Sequence, residues 1–215
     1  MNKVINVAID GPAGAGKSTI AKAMYYFRTI KKDIYTLAEE KALSMISIEE
    51  VENKNDSLAY VLTTNLREKF IRVFGSSWAM DNDMYLKYYY TDRCWIKVSL
   101  KKDTKYSAPN YIWLEFSDSL IDFLKAHDNI LEPSALGIPD TQKQKFHADL
   151  NTFFDDIYNV VYIPAGRSML TLLSQQLAYI YTTMKDAQKR ALDYCTQDYI
   201  ERILSLKSEF TNGLP

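Results

Sequence analysis

The stretch IDGPAGAGKSTIAKAMYYF, residues 9–27, decides how the chain is read. Gly11-Pro12-Ala13-Gly14-Ala15-Gly16-Lys17-Ser18 fits G-x-x-x-x-G-K-[ST], the spacing of a phosphate-binding loop. Its surroundings give the string weight. KVINVAI, residues 3–9, is apolar and β-branched, as expected of a buried strand that ends in a turn at Asp10-Gly11. After the loop, Ile20, Ala23, Met24 and Phe27 recur at spacings of three and four, which predicts a helix from Lys17 to about Lys31. The chain has 7 glycines, and three of them (Gly11, Gly14, Gly16) fall in this one window. There they let backbone N–H groups turn inward around an anion. A helix starting at Lys17 adds its positive dipole end to the same place. Lys17 is then the catalytic cation reaching the β- and γ-phosphates, Ser18 the Mg²⁺ ligand, and Thr19 a neighbour of the α-phosphate. The expected ligands are ATP and Mg²⁺, held by Gly11, Pro12, Ala13, Gly14, Ala15, Gly16, Lys17, Ser18 and Thr19.

Composition narrows the rest. The chain has 215 residues, 47% hydrophobic and 25% charged, which suits a folded lobe and argues against disorder. A net charge of −1 supplies no general attraction to nucleic acid. Cys94 and Cys195 lie far apart and fit no metal-ligand spacing; they read as reduced thiols of a cytoplasmic protein. No apolar run is long enough to span a membrane, and MNKVINVAID becomes charged too soon for a signal peptide.

Further along, residues 34–52 predict a helix with Leu37, Leu43 and Ile46 on one side, and 57–74 another that stops at Gly75. YLKYYY (85–90), CWIKVSL (94–100) and NYIWLEF (110–116) predict three antiparallel strands joined by turns. Residues 119–127 predict a helix. NILEPSALGIPDTQKQ (129–144), with two prolines and a glycine, predicts a mobile loop. Residues 146–158 predict a helix and 159–168 a strand broken at Pro164. A helix from Met169 to beyond residue 190 and a last helical segment over 197–210 complete the reading.

IDGPAGAGKSTIAKA resembles the opening of bacterial cytidylate kinases over roughly the first twenty residues. That resemblance implies phosphoryl transfer from ATP to a nucleoside monophosphate. A kinase of this type continues into an acceptor segment such as D-T-G-A-M-Y-R, where this chain has MYYFRTIKKDIYTLAEEK. A second resemblance covers most of the chain. AKAMYYFRTIKKDI, YLKYYYTDRCWIKVSL, NYIWLEFSDSL and VVYIPAGRSMLTLLS are similar to the N-terminal part of bacterial AAA-type ATPases of the ABC/SMC-like class, the overcoming-lysogenization-defect and anti-phage type.

The second resemblance implies an α/β P-loop NTPase lobe with a mixed sheet, an antiparallel sub-sheet over about 85–116 and a long C-terminal helical segment. One incomplete lobe would occupy 1–215: strand, phosphate loop and helix over 3–31, helices over 34–74, antiparallel strands over 85–116, strand and helices over 146–212. Its partner would be a second copy or a complementary ATPase half, with ATP gating the assembly. No apolar run ending in Asp-Glu supplies a Walker B strand, and Asp92 and Asp118 read more simply as turn residues. Arg167, in Ile163-Pro164-Ala165-Gly166-Arg167-Ser168, is either a catalytic arginine approaching a phosphate or partner, or a salt-bridged loop residue. Tyrosines of YLKYYY with Lys87 and Lys97 could stack on single-stranded nucleic acid, although half-buried strand patterning is the simpler reading. His127 and His147 read as surface or capping residues. A third class of function, an interaction module that uses bound ATP only for stability, fits the same loop.

Overall fold

The computed structural model describes residues 17–44, 56–75, 84–101, 111–134, 137–155, 161–163, 174–185, 189 and 194–211. The expected strand over 3–9, the loop Gly11–Gly16 and Arg167 lie outside the described residues. What is described is α/β, mostly helical, with one small antiparallel sheet.

Two helices open it, α1 (Lys17–Arg28) and α2 (Ile30–Ser44). They part at Thr29, whereas the sequence predicts one helix continuing to about Lys31. The Thr29 hydroxyl donates back to the Tyr25 carbonyl at 2.8 Å and contacts the Tyr26 carbonyl at 3.2 Å. Such back-bonding to the preceding turn accompanies helix breaks, although the backbone bonds from Thr29 to Tyr25 and from Asp33 to Thr29 remain at 3.1 Å. The inward face of α2 is Ile30, Ile34, Leu37, Ala38 and Ala42. Leu43, expected on that face, is exposed, because it lies one step round the helix from Ala42.

Helix α3 (Leu58–Phe74) matches its predicted bounds. Ser57 caps its start, accepting the Tyr60 N–H at 3.3 Å. Gly75 ends it at φ +94°, a conformation costly for any residue with a Cβ, and its N–H donates to the Ile71 carbonyl at 2.7 Å. Leu58, Leu62, Leu66, Phe70 and Val73 form one fully buried stripe. Each contributes about 1.5–3 kcal/mol of burial. That stripe makes α3 the hub: it touches α1, α2, the sheet and two later helices.

Strands β1 (Met84–Tyr89), β2 (Trp95–Leu100) and β3 (Ile112–Phe116) form the predicted antiparallel meander in that order. Lys87 faces Lys97 across β1 and β2, and Lys97 faces Glu115 across β2 and β3. The period of two sends Leu86, Tyr88, Ile96, Val98, Leu100, Ile112 and Leu114 toward the helices.

Helix α4 (Asp118–Ala126) is capped by Ser117, which accepts from the Leu120 N–H. Helix α5 (Asp140–Phe154) starts six residues before the predicted position and consumes the end of the predicted mobile loop. Pro139 stands at its N-cap and Asp140 in its first turn, so the proline opens the helix here. The remaining loop takes a defined turn: Ser134 and Gly137 exchange backbone hydrogen bonds at 2.9 Å. Residues 161–163, inside the predicted strand of 159–168, pair with no strand. Helix α6 (Ser174–Thr183) ends before Met184 and does not run past residue 190 as predicted. Helix α7 (Tyr194–Thr211) closes the described chain. No helix among the described residues is long and apolar enough to cross a membrane.

Candidate nucleotide-binding site

The described part of helix α1, Lys17–Arg28, includes Lys17, the lysine of the predicted phosphate loop. Residues Lys17–Arg28 are helical, as the phosphate-loop reading expects of the stretch that follows the glycine-rich segment. No acidic residue occupies its first turn, so nothing there competes with a bound anion. Ser18 is the second residue of α1, and Thr19 is exposed. Ile20, expected on the buried face of the helix, is 53% exposed. Burial of α1 begins near its other end, at Tyr25, Tyr26 and Phe27.

Those aromatics hold α1 in place. The Tyr26 hydroxyl donates to the Leu66 carbonyl of α3 at 3.0 Å. Phe27 stacks on Tyr88 of β1, with ring centroids 5.4 Å apart. The Tyr90 hydroxyl donates to the Phe27 carbonyl at 2.5 Å. The first turn of α1 is thus presented by a helix fixed at its far end to both α3 and the sheet. Burial drives the pKa values of Tyr26 and Tyr90 well above the usual phenol value, so both remain neutral donors.

Beneath α1 and α2 lies a buried polar cluster that the sequence reading did not single out. Lys69 of α3 donates to the Thr29 hydroxyl at 2.6 Å and pairs with the Asp33 carboxylate. Its ammonium also lies 5.6 Å from the Tyr26 ring and 5.5 Å from that of Tyr194. Burial pushes the Lys69 pKa down, and the Asp33 carboxylate pulls against that shift. The signal was present in the sequence: Lys69 follows Leu66 by three and precedes Val73 by four, on the apolar side of α3. One small concavity lies elsewhere, lined by Ala38, Lys41, Ala42, His127, Asp128 and Leu131, and it is far too small for a nucleotide. Lys69 therefore holds helices together.

Other predicted residues take simple places. Asp92 is exposed in the β1–β2 turn, and Asp118 is exposed in the first turn of α4. His127 ends α4, with Nδ1 2.8 Å from the Phe123 carbonyl and its ring stacked on Phe123. His147 is exposed beside the Tyr35 ring. Cys94 and Cys195 are buried and form no disulfide, and burial pushes the Cys94 thiol up to about 12. Among the described residues, no group of His, Cys, Asp and Glu could hold a metal ion.

No family model matches the chain, and no solved structure matches it. Cytidylate kinases from three Clostridium perfringens strains (SM101, ATCC 13124 and strain 13) are each 52% identical over 59 residues. That stretch is 24% of this chain and 26% of each kinase, so the chain matches about a quarter of the length of these curated relatives. The likeness is longer than the first twenty or so residues on which the sequence reading based it. With no family model matching, the resemblance to ABC/SMC-like ATPases gains no support there. Over that 59-residue stretch, the chain is similar to cytidylate kinases.

Proposed function

We propose that the chain binds ATP with Mg²⁺ through Gly11–Thr19 as a kinase-like P-loop protein. The observation that carries this reading is that Lys17–Arg28, the stretch following the glycine-rich string, is a helix. The 59-residue match to cytidylate kinases also supports it. Backbone N–H groups of Gly14, Ala15 and Gly16 would surround the phosphates. Lys17 would hold the β- and γ-phosphates and Ser18 the Mg²⁺, while Thr19 stands beside the α-phosphate. Bound ATP supplies a transferable phosphoryl group. The chain's own part is to bind its phosphates and orient them.

Calorimetric titration with Mg²⁺·ATP tests this. Saturable binding by the full chain is expected, and Lys17→Ala should weaken it by about 1.5–3 kcal/mol, the worth of a charge-assisted contact. Binding that Lys17→Ala leaves unchanged would sink the assignment.

One structural observation favours a second reading. The antiparallel meander β1–β3, following the first helices, is the element that the ABC/SMC-like resemblance implies. On that reading, ATP gates assembly with a second copy or a complementary half, and Arg167 faces a phosphate or the partner. A coupled assay with ATP and a panel of nucleoside monophosphates separates the two. ADP release that depends on an acceptor, CMP above all, selects the kinase. Mg²⁺·ATP-dependent association, with no acceptor dependence, selects the gated ATPase lobe.

A further inference from the structure

The sheet has a second face, and its composition is unlike the first. Opposite the apolar side lie Tyr85, Lys87 and Tyr89 of β1, Trp95 and Lys97 of β2, Trp113 and Glu115 of β3, and Lys101 just beyond β2. Tyr85 is 67% exposed and Tyr89 56%. Large aromatics left in water on the open face of a sheet keep apolar surface exposed that packing does not cover.

Register orders these side chains into rows. Tyr89 faces Trp95, Lys87 faces Lys97, and Tyr85 faces Ser99, which in turn faces Trp113. An aromatic row, a cationic row and a second aromatic row therefore follow one another, about 7 Å apart for each two-residue step. Placing Lys87 directly opposite Lys97 is unfavourable for the sheet. Glu115 offsets part of that charge, 2.9 Å from the Lys97 ammonium. On the strands themselves and at Lys101, three lysines stand against this single carboxylate. The turn residues Asp92 and Arg93 cancel. Three of the ammonium groups already lie over aromatic rings: Lys87 at 3.7 Å from the Trp95 centroid, Lys101 at 3.7 Å from Trp113 and Lys97 at 5.5 Å from Tyr85.

We infer that this face is a stacking platform for single-stranded nucleic acid. Bases would lie on Tyr85, Tyr89 and the two tryptophans, and the lysine row would take the phosphates between them. An open sheet bearing aromatics is a recurring solution for unpaired bases, since each base offers a π-face whatever its identity. An acidic peptide would use the lysines and leave the exposed tyrosines unexplained. A duplex hides its base faces. The chain's net charge of −1 does not oppose binding, because the cations are concentrated on this one surface.

The test is fluorescence anisotropy of the full chain with labelled oligothymidylate and oligouridylate of about twelve nucleotides. Saturable binding to either is expected, and comparing the two separates DNA from RNA. Tyr85→Ala and Tyr89→Ala, both at exposed positions, should each raise Kd roughly 5- to 150-fold while the circular dichroism spectrum stays unchanged. Lys87→Ala should lower the slope of log K against log salt by about 0.7. Quenching of tryptophan emission on binding gives a second readout of stacking. The inference is overturned by absent binding, by equal affinity for duplex, or by displacement with polyglutamate at matched charge. It is also overturned if both tyrosine variants bind like the parent, or if Mg²⁺·ATP displaces the oligonucleotide completely, which would assign the binding to the phosphate loop.

Discussion

At the scale of the residue, a buried charge can be held by partners drawn from several elements. Lys69 is almost fully buried, yet it meets Thr29, Asp33 and two tyrosine rings. Removing one partner of such a pair leaves the other charge buried and unmatched, whereas replacing both with apolar groups removes the problem. Lys69→Ala is therefore expected to destabilise the protein by about 3–5 kcal/mol. The double variant Lys69→Met, Asp33→Leu should cost markedly less, although it still forfeits the hydrogen bond to Thr29. Urea unfolding of the parent and the two variants checks this. A double variant as unstable as Lys69→Ala would show that the ion pair is not the reason. This cluster was hard to foresee, because a lysine in an amphipathic helix is ordinarily read as solvated. Only its phase relative to Leu66, Phe70 and Val73 gives its burial away.

At the scale of the element, caps decide how much of a helix can be read in advance. Ser57 and Gly75 bracket α3, and its bounds were legible. The break between α1 and α2 was not, because spacing does not show a hydroxyl returning to its own helix at Thr29. The start of α5 was missed because Pro139 was taken as a loop former when it serves as a helix opener. The order strand, phosphate loop, helix was read from spacing, and of it the described residues show the helix over Lys17–Arg28. The aromatic anchoring of that helix required tertiary partners on α3 and β1, which spacing does not reveal.

Helix α3 also has a cap from afar. The Asp128 carboxylate accepts the Leu58 N–H at 2.5 Å and pairs with Lys41 at 2.8 Å, tying α2, α3 and the end of α4 together. Burial raises the Asp128 pKa, but Lys41 and the Leu58 N–H outweigh it and hold the carboxyl below its usual range. A depressed folded value means that the contribution is present above the unfolded pKa and is lost as pH falls through the folded one. Asp128→Asn should accordingly lower stability by about 1–3 kcal/mol near neutral pH. The gap between parent and variant should close as pH falls from about 6 to about 2. Thermal melts across that range measure it, and a gap independent of pH would rule the carboxylate out as the cause.

At the scale of the whole molecule, the described chain joins two kinds of contact. Helices α1–α3 and the sheet share one apolar core in which Cys94 sits, at the start of β2. Helix α7 meets that core through Tyr194, Cys195 and Ile200, and makes polar contacts besides. Arg72 donates to Gln197 at 2.6 Å and lies 4.7 Å from the Tyr194 ring, while Lys32 stands 3.7 Å from Asp198. Polar contacts at a helix surface exchange readily with water, so α7 has the lower free energy of local opening. The two buried cysteines report on the two regions separately. In a pulse of thiol reagent at increasing urea, Cys195 is expected to become reactive at a lower concentration than Cys94, before the sheet is lost. The Cys94 thiol, pushed up to about 12 by burial, is silent until its site is exposed to water. Simultaneous labelling of both thiols at a single midpoint would mean that α7 unfolds with the core as one unit.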